Sequence, residues 1–144
     1  MDIIESVRIA MRQRLFAADI IPAEQFQEEY KTAPDDGSYY IRETVIDMGR
    51  TEPSQTSELQ TVLVEYDIIA HSKWLLNPLV MVGNIVEKIR TEFNVKDPEK
   101  INIVLPDHQN VQAWLKEPVT TSASEQDGDW WRRPVMIYVE CLIR

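Results

Sequence analysis

The chain has 144 residues, of which 44% are hydrophobic and 27% charged. That is the size and composition of one globular domain over residues 1–144, and it argues against wholesale disorder. The formal charge of −9 repels polyphosphate at long range and disfavours sequence-independent DNA binding. Cys141 is the only cysteine, which excludes an internal disulfide and is compatible with synthesis in a cytoplasm. No apolar run nears the ~20 residues that span a bilayer, and the first residues lack a signal-peptide pattern.

Asp2-x-x-Glu5 reads as a capping box with Asp in place of Ser or Thr. Behind it Ile4, Val7, Met11 and Leu15 repeat at helical spacing, with Arg8, Arg12 and Arg14 mostly off the stripe. The spacing predicts an amphipathic helix from Ile3 to about Ala17. Pro22 closes the connection. Phe26, Glu28 and Tyr30 alternate with Gln27 and Glu29, predicting a short, partly exposed strand. Ala33 to Ser38 is a turn cluster holding Asp35, Asp36 and Gly37. Tyr39 to Met48, rich in aromatic and β-branched residues, reads as a strand. Gly49 to Ser57, with Pro53, reads as a polar loop.

Leu59 to Ala70 shows the best alternation in the chain. Val62, Val64, Tyr66 and Ile68 take one face, Thr61, Glu65 and Asp67 the other. Asn77-Pro78 is a helix start, with Asn as N-cap and Pro at the first position. Leu79, Val82, Val86, Ile89 and Phe93 then follow a three-four spacing, and Asn94 reads as the C-cap. Ile101 to Leu105 predicts a strand stopped by Pro106. Val111 to Leu115 fits either a helix or a strand. Val119 to Ala123 and Val135 to Ile143 predict a final hairpin around Asp127-Gly128, a strong hairpin dipeptide. The order is helix, strands, helix, strands. It predicts an α+β fold, with two helices on one face of a mostly antiparallel sheet and a C-terminal β-hairpin.

The chemical candidates are few. His71 and His108, the only histidines, lack a motif and read as solvated loop imidazoles. Cys141, between strand residues, reads as a buried small hydrophobe. Asp35-Asp36 and Asp127/Asp129 lack the ligand spacing of a calcium loop. Phosphate loops, nucleophile elbows and paired-cysteine metal motifs are absent from the sequence. No catalytic residue, cofactor or metal site is predicted.

The C-terminal turn is more telling. Acids at 125, 127 and 129 run into Trp130-Trp131-Arg132-Arg133. Neighbours in a strand point to opposite faces, so at most one of the two tryptophans faces the core. Trp and Arg are the residues enriched at binding hot spots. Trp130, Trp131, Arg132 and Arg133 therefore form one candidate assembly patch. Asp35, Asp36, Glu28 and Glu29 are acidic candidates for a complementary surface.

The whole plan resembles the tail terminator family of long-tailed bacteriophages, the lambda U type. The resemblance runs through a Tyr-rich strand after a turn (Gly37-Ser38-Tyr39-Tyr40-Ile41-Arg42) and an alternating strand (Gln60-Thr61-Val62-Leu63-Val64-Glu65-Tyr66-Asp67). It continues through the helix from Pro78 to Phe93 and the terminal Asp127-Gly128-Asp129-Trp130 to Ile143. It covers nearly the full length in order and spacing, as an architecture without a diagnostic motif. The resemblance implies a subunit of a hexameric ring in the virion. Such a ring caps the tail tube, halts its growth and meets the head connector, while DNA passes through the lumen without specific binding. Tube and head-completion proteins share the architecture. A head–tail joining (neck) protein is the nearest alternative, and a small non-phage interaction domain a further one.

Overall fold

A computed structural model describes residues 2–28, 39–71 and 77–144. The first helix, α1 (Ile3–Ala17), begins where Asp2 accepts the Glu5 N–H at 2.7 Å. Only this half of the capping box forms, because the Glu5 carboxylate is taken by Arg8 one turn on. The helix ends in a Schellman motif. Asp19 adopts φ 54°, Ile20 N–H bonds Leu15 C=O, and Asp19 N–H bonds Phe16 C=O. Ile20 and Leu15 are both buried.

A short 3-10 turn (Ala23–Gln25) leads to β1 (Phe26–Glu28). Then come β2 (Tyr39–Ser54), β3 (Ser57–His71) and α2 (Pro78–Glu92). The remainder is β4 (Asn102–Ile103), β5 (Gln112–Leu115), β6 (Thr120–Thr121), β7 (Glu125–Asp127) and β8 (Trp130–Ile143). The fold is α+β: two helices and a large sheet.

Several sequence boundaries shift. The stretch expected to be a polar loop, 49–57, is the end of a ribbon: β2 continues to Ser54 and only Gln55 and Thr56 turn. Its polarity reflects exposure on both faces, and pairing with β3 overrides local propensity. Register shifts between 47 and 50 and between 51 and 54 absorb Gly49 (φ 99°) and Pro53. Asn77 caps α2 as expected, accepting Val80 N–H, but the C-cap is the buried Phe93. Asn94 instead accepts the Lys96 N–H in the following turn. Residues 112–115 resolve as strand, and His71 ends β3 instead of lying in a loop.

The sheet runs β1-β2-β3-β8-β5-β4, with β6 and β7 also on β8. β1 pairs parallel with β2; every other described pairing is antiparallel. One edge of β8 follows β3 from Trp130 to Ile143. The other is shared among β7, β6 and β5. Pro134 sits between the β7 and β6 registers. Thr121 Oγ1 donates to its carbonyl at 2.8 Å. An extended residue points its N and O the same way, so the missing N–H falls in that gap and costs no ladder bond.

The final turn also differs in detail. Asp127 pairs with Trp130, so Gly128 and Asp129 are the central residues. Gly128 has φ 60° and Asp129 is not in the positive region. Glycine first fits a type II′ turn.

One core cluster holds residues of both helices and of the even-numbered face of β3. Val7, Met11 and Leu15 of α1 and Val82, Val86 and Ile89 of α2 meet Val62, Val64, Tyr66 and Ile68. They also meet Val135, Ile137, Val139 and Cys141 of β8. Ser6, fully buried, donates to the Pro106 carbonyl and pins the 98–111 segment to α1. Arg14 ties the helices together: it bonds the Glu92 carbonyl at 2.6 Å and stacks 4.7 Å over Phe93.

At the edge of the core the half-buried Arg12 pairs with the buried Glu43. Arg12 clasps Glu43 Oε1 with Nε at 2.9 Å and Nη2 at 2.8 Å, and lies over Phe26. Glu43 Oε2 and the Tyr66 hydroxyl fall short of hydrogen-bond geometry with any described group. They are close enough to couple: burial first, then the Glu43 charge, pushes the Tyr66 phenol well above 10. Burial raises Glu43 above its ordinary 4.5, and Arg12 offsets this only in part. The native state therefore binds the Glu43 proton more tightly than the unfolded chain does. Its contribution is fullest in acid below 4.5 and is lost as pH rises through the raised value. Glu43→Gln should gain stability relative to the parent as pH climbs from 4 to 7, in urea melts. A parent that instead gains on the variant with rising pH would show the Arg12 pair outweighing burial.

Candidate assembly surface

Strand alternation divides the C-terminal patch in two. The unbroken β3–β8 register sets Trp131 opposite Ala70 and Arg133 opposite Ile68, on the side of the sheet that carries the core. Trp130 stands opposite His71 and Arg132 opposite Ile69, on the other side. The four residues of the expected assembly segment thus lie on two faces, as strand alternation anticipates.

Trp130 is half-buried by its own chain. Its ring meets His71 edge-on at 4.4 Å and Tyr40 at 6.1 Å. Arg42 lies 5.6 Å over the Tyr40 ring. Arg132 bonds Asp67 Oδ2 at 2.6 Å, although its side chain is 53% exposed. That hydrogen bond raises the Arg132 pKa further. Arg133 donates to Thr121 Oγ1 and the Ser122 carbonyl, fastening β6 to the start of β8. Glu28 lies in β1, in register with Glu43, with β2 and β3 between it and β8. Asp35, Asp36 and Glu29 lie outside the described residues.

The larger feature is the sheet face turned away from the core. Ile46, Leu59, Leu63, Ile69, Met136, Tyr138 and Leu142 line it by register. Leu63 and Ile69 are buried there by their neighbours, and Ile46 is 40% exposed. In β3 the polar Thr61, Glu65 and Asp67, which mark this face as solvent-facing in the sequence, share it with Leu63 and Ile69. Met136 and Tyr138, with Leu142 beyond the polar Glu140, carry a partial form of the same signal in β8. A strand apolar on both faces has two faces to cover.

The edges of this face are open as well. Residues 46–56 form a run of eleven exposed residues along the β2–β3 ribbon, including Met48 at 53%. At the far edge Val104, after β4, is 85% exposed. A cleft of about 490 Å³ lies there, lined by Val104, His108, Gln112 and Trp114 among others, with no carboxylate. Among the described residues, no three His, Cys, Asp or Glu converge as metal ligands. No described helix is long and apolar enough to cross a membrane. The surface offers apolar contact and strand edges.

No family model matches the chain, and no curated protein matches it. Thirteen chains of solved structures do resemble it. One, whose name carries no functional term, aligns over 97% of this chain and 96% of its own. Its TM-score is 0.63 at 14% identity, a likeness of fold alone.

The two residues of the open-face cluster should separate energetically. Arg132→Ala removes a largely exposed ion pair and should cost about 0.5–1 kcal/mol of folding stability. Trp130→Ala empties the slot between Tyr40 and His71 and should cost about 2–3 kcal/mol. Urea denaturation of both variants checks the ranking. A neutral Trp130→Ala would mean the ring serves docking and not the fold.

Proposed function

We propose that this chain is a structural, ring-forming subunit of the tail-terminator kind. Six copies cap the completed tail tube, stop its polymerisation and present a surface to the head connector. The observation that carries this reading is the mixed face of β2, β3 and β8 turned from the core, where Ile46 is exposed and Met136, Tyr138 and Leu142 are half-buried. Both helices gather on the opposite side of a mostly antiparallel sheet, which leaves that face and its edges for partners. A monomer that exposes a long strand edge invites uncontrolled pairing, and closed assembly removes the hazard.

The reading assigns no catalysis. It places the protein in the virion, at the tail or neck, after synthesis in the host cytoplasm. Net charge of −9 lets DNA slide through a lumen without sticking. Filter binding at low salt should find only weak, nonspecific DNA retention; submicromolar affinity at physiological salt would contradict the lumen role.

Native mass spectrometry and negative-stain microscopy of particles with and without the protein test the main claim. Rings on tail ends, and overlong tails in the protein's absence, are expected. Tails of normal length that fail to join heads would move the role to the neck. A protein monomeric both in solution and on particles would sink the ring.

A further inference from the structure

Among the described residues, the two ends of the sheet carry edges without a strand partner. At β4, Leu115 donates its N–H to Ile101 C=O at 2.8 Å, and Ile103 stands opposite Ala113. Ile101 and Ile103 therefore turn their backbone groups to β5. Alternation turns those of Asn102 and Val104 outward, where no described backbone group bonds them. A groove of about 350 Å³ lies between this edge and α1. Its helix wall presents Ala10, Gln13 and Ala17, a face with two alanines that admits a backbone at close range.

At the opposite end, β1 covers β2 only at Ile41–Glu43 among the described residues. Ile46 and Met48 lie further along β2, two residues apart, and are 40% and 53% exposed.

We propose that the outer edge of β2, from Ile46 towards Ser54, adds as an extra strand to β4 of a second copy, in the groove beside α1. Sheet edges bind extended segments by backbone pairing, with side chains seated in adjoining pockets. The second copy is the occupant because donor and acceptor edges sit at opposite ends of one sheet. Such a contact is head-to-tail and repeats until it closes. Charge does not oppose the contact. Arg50 of the ribbon pairs with Glu58 at 2.8 Å, which leaves Asp47 and Glu52 as its surplus. In the groove Arg14 and Lys100 share Glu92, at 3.2 and 3.7 Å, and Glu99 is the other carboxylate on the lining. The lining is therefore neutral, a milder setting for an acidic ribbon than the rest of a chain whose net charge is −9.

The contact rests on the ring reading and gives it a chemical basis. It is tested with Met48→Lys, which spoils the donor edge, and Val104→Lys, which spoils the acceptor. Both positions are exposed, so circular dichroism should match the parent. By native mass, each variant alone should need at least tenfold more protein to assemble. An equimolar mixture should give dimers and nothing larger, since each variant keeps one good edge. Amide exchange on the parent gives a second readout: Asn102 and Val104 should slow at least tenfold in the ring. A parent ring with these amides still fast, or variants that form rings unaided, overturns this contact and leaves the ring. Monomeric variants that fail to complement each other overturn it too. A parent that never assembles, free or on particles, overturns both.

Discussion

The β3–β8 ladder is the constraint on which the other elements depend. It runs without a register shift from Glu58↔Ile143 to His71↔Trp130. Its even-by-odd face supplies Val62, Val64, Tyr66 and Ile68 against Val139, Ile137, Val135 and Arg133. Both helices, although distant in sequence from one or both strands, bury their stripes there. A one-residue slip would send every one of these side chains to the other face. The ladder joins the middle of the chain to its end, so loop-closure entropy is met before the core can reward it.

The same ladder decides what the rest of β8 can do. Its outer edge is divided among three short strands, and the division between β7 and β6 falls where Pro134 has no N–H to offer. Arg133 then holds Thr121 and Ser122 from below that gap. A proline inside a central strand, ordinarily a contradiction, is accommodated by the placement of its neighbours.

The strongly periodic parts were legible in the sequence. Both helices, the N-cap residues Asp2 and Asn77, and the inner face of β3 follow from spacing and capping chemistry alone. The ribbon at 49–57 was not, because Gly49 and Pro53 are loop residues locally and become bulge residues only when β3 is beside them. The candidate patch was half legible. Aromatic and cationic composition marked residues 130–133 and alternation divided them between two faces, but which pair lies on the core side depends on pairing with β3. The open face was written in Leu63, Ile69, Met136 and Tyr138, and a search for a single buried face overlooks it. Edges such as Val104 leave no local signal, since exposure belongs to the assembled sheet.

Cys141 shows what it means for a side chain to sit in the strand everything else leans on. It is fully buried in the helix-covered face of β8, and burial pushes its thiol up to about 11. The thiolate is the reactive form, so in the native state this sulfur is shielded twice, by access and by protonation. It becomes reactive only when β8 separates from β3 or from the helices above it. The chain thus carries its own clock for breathing: the labelling rate of one thiol reports how often the central strand opens.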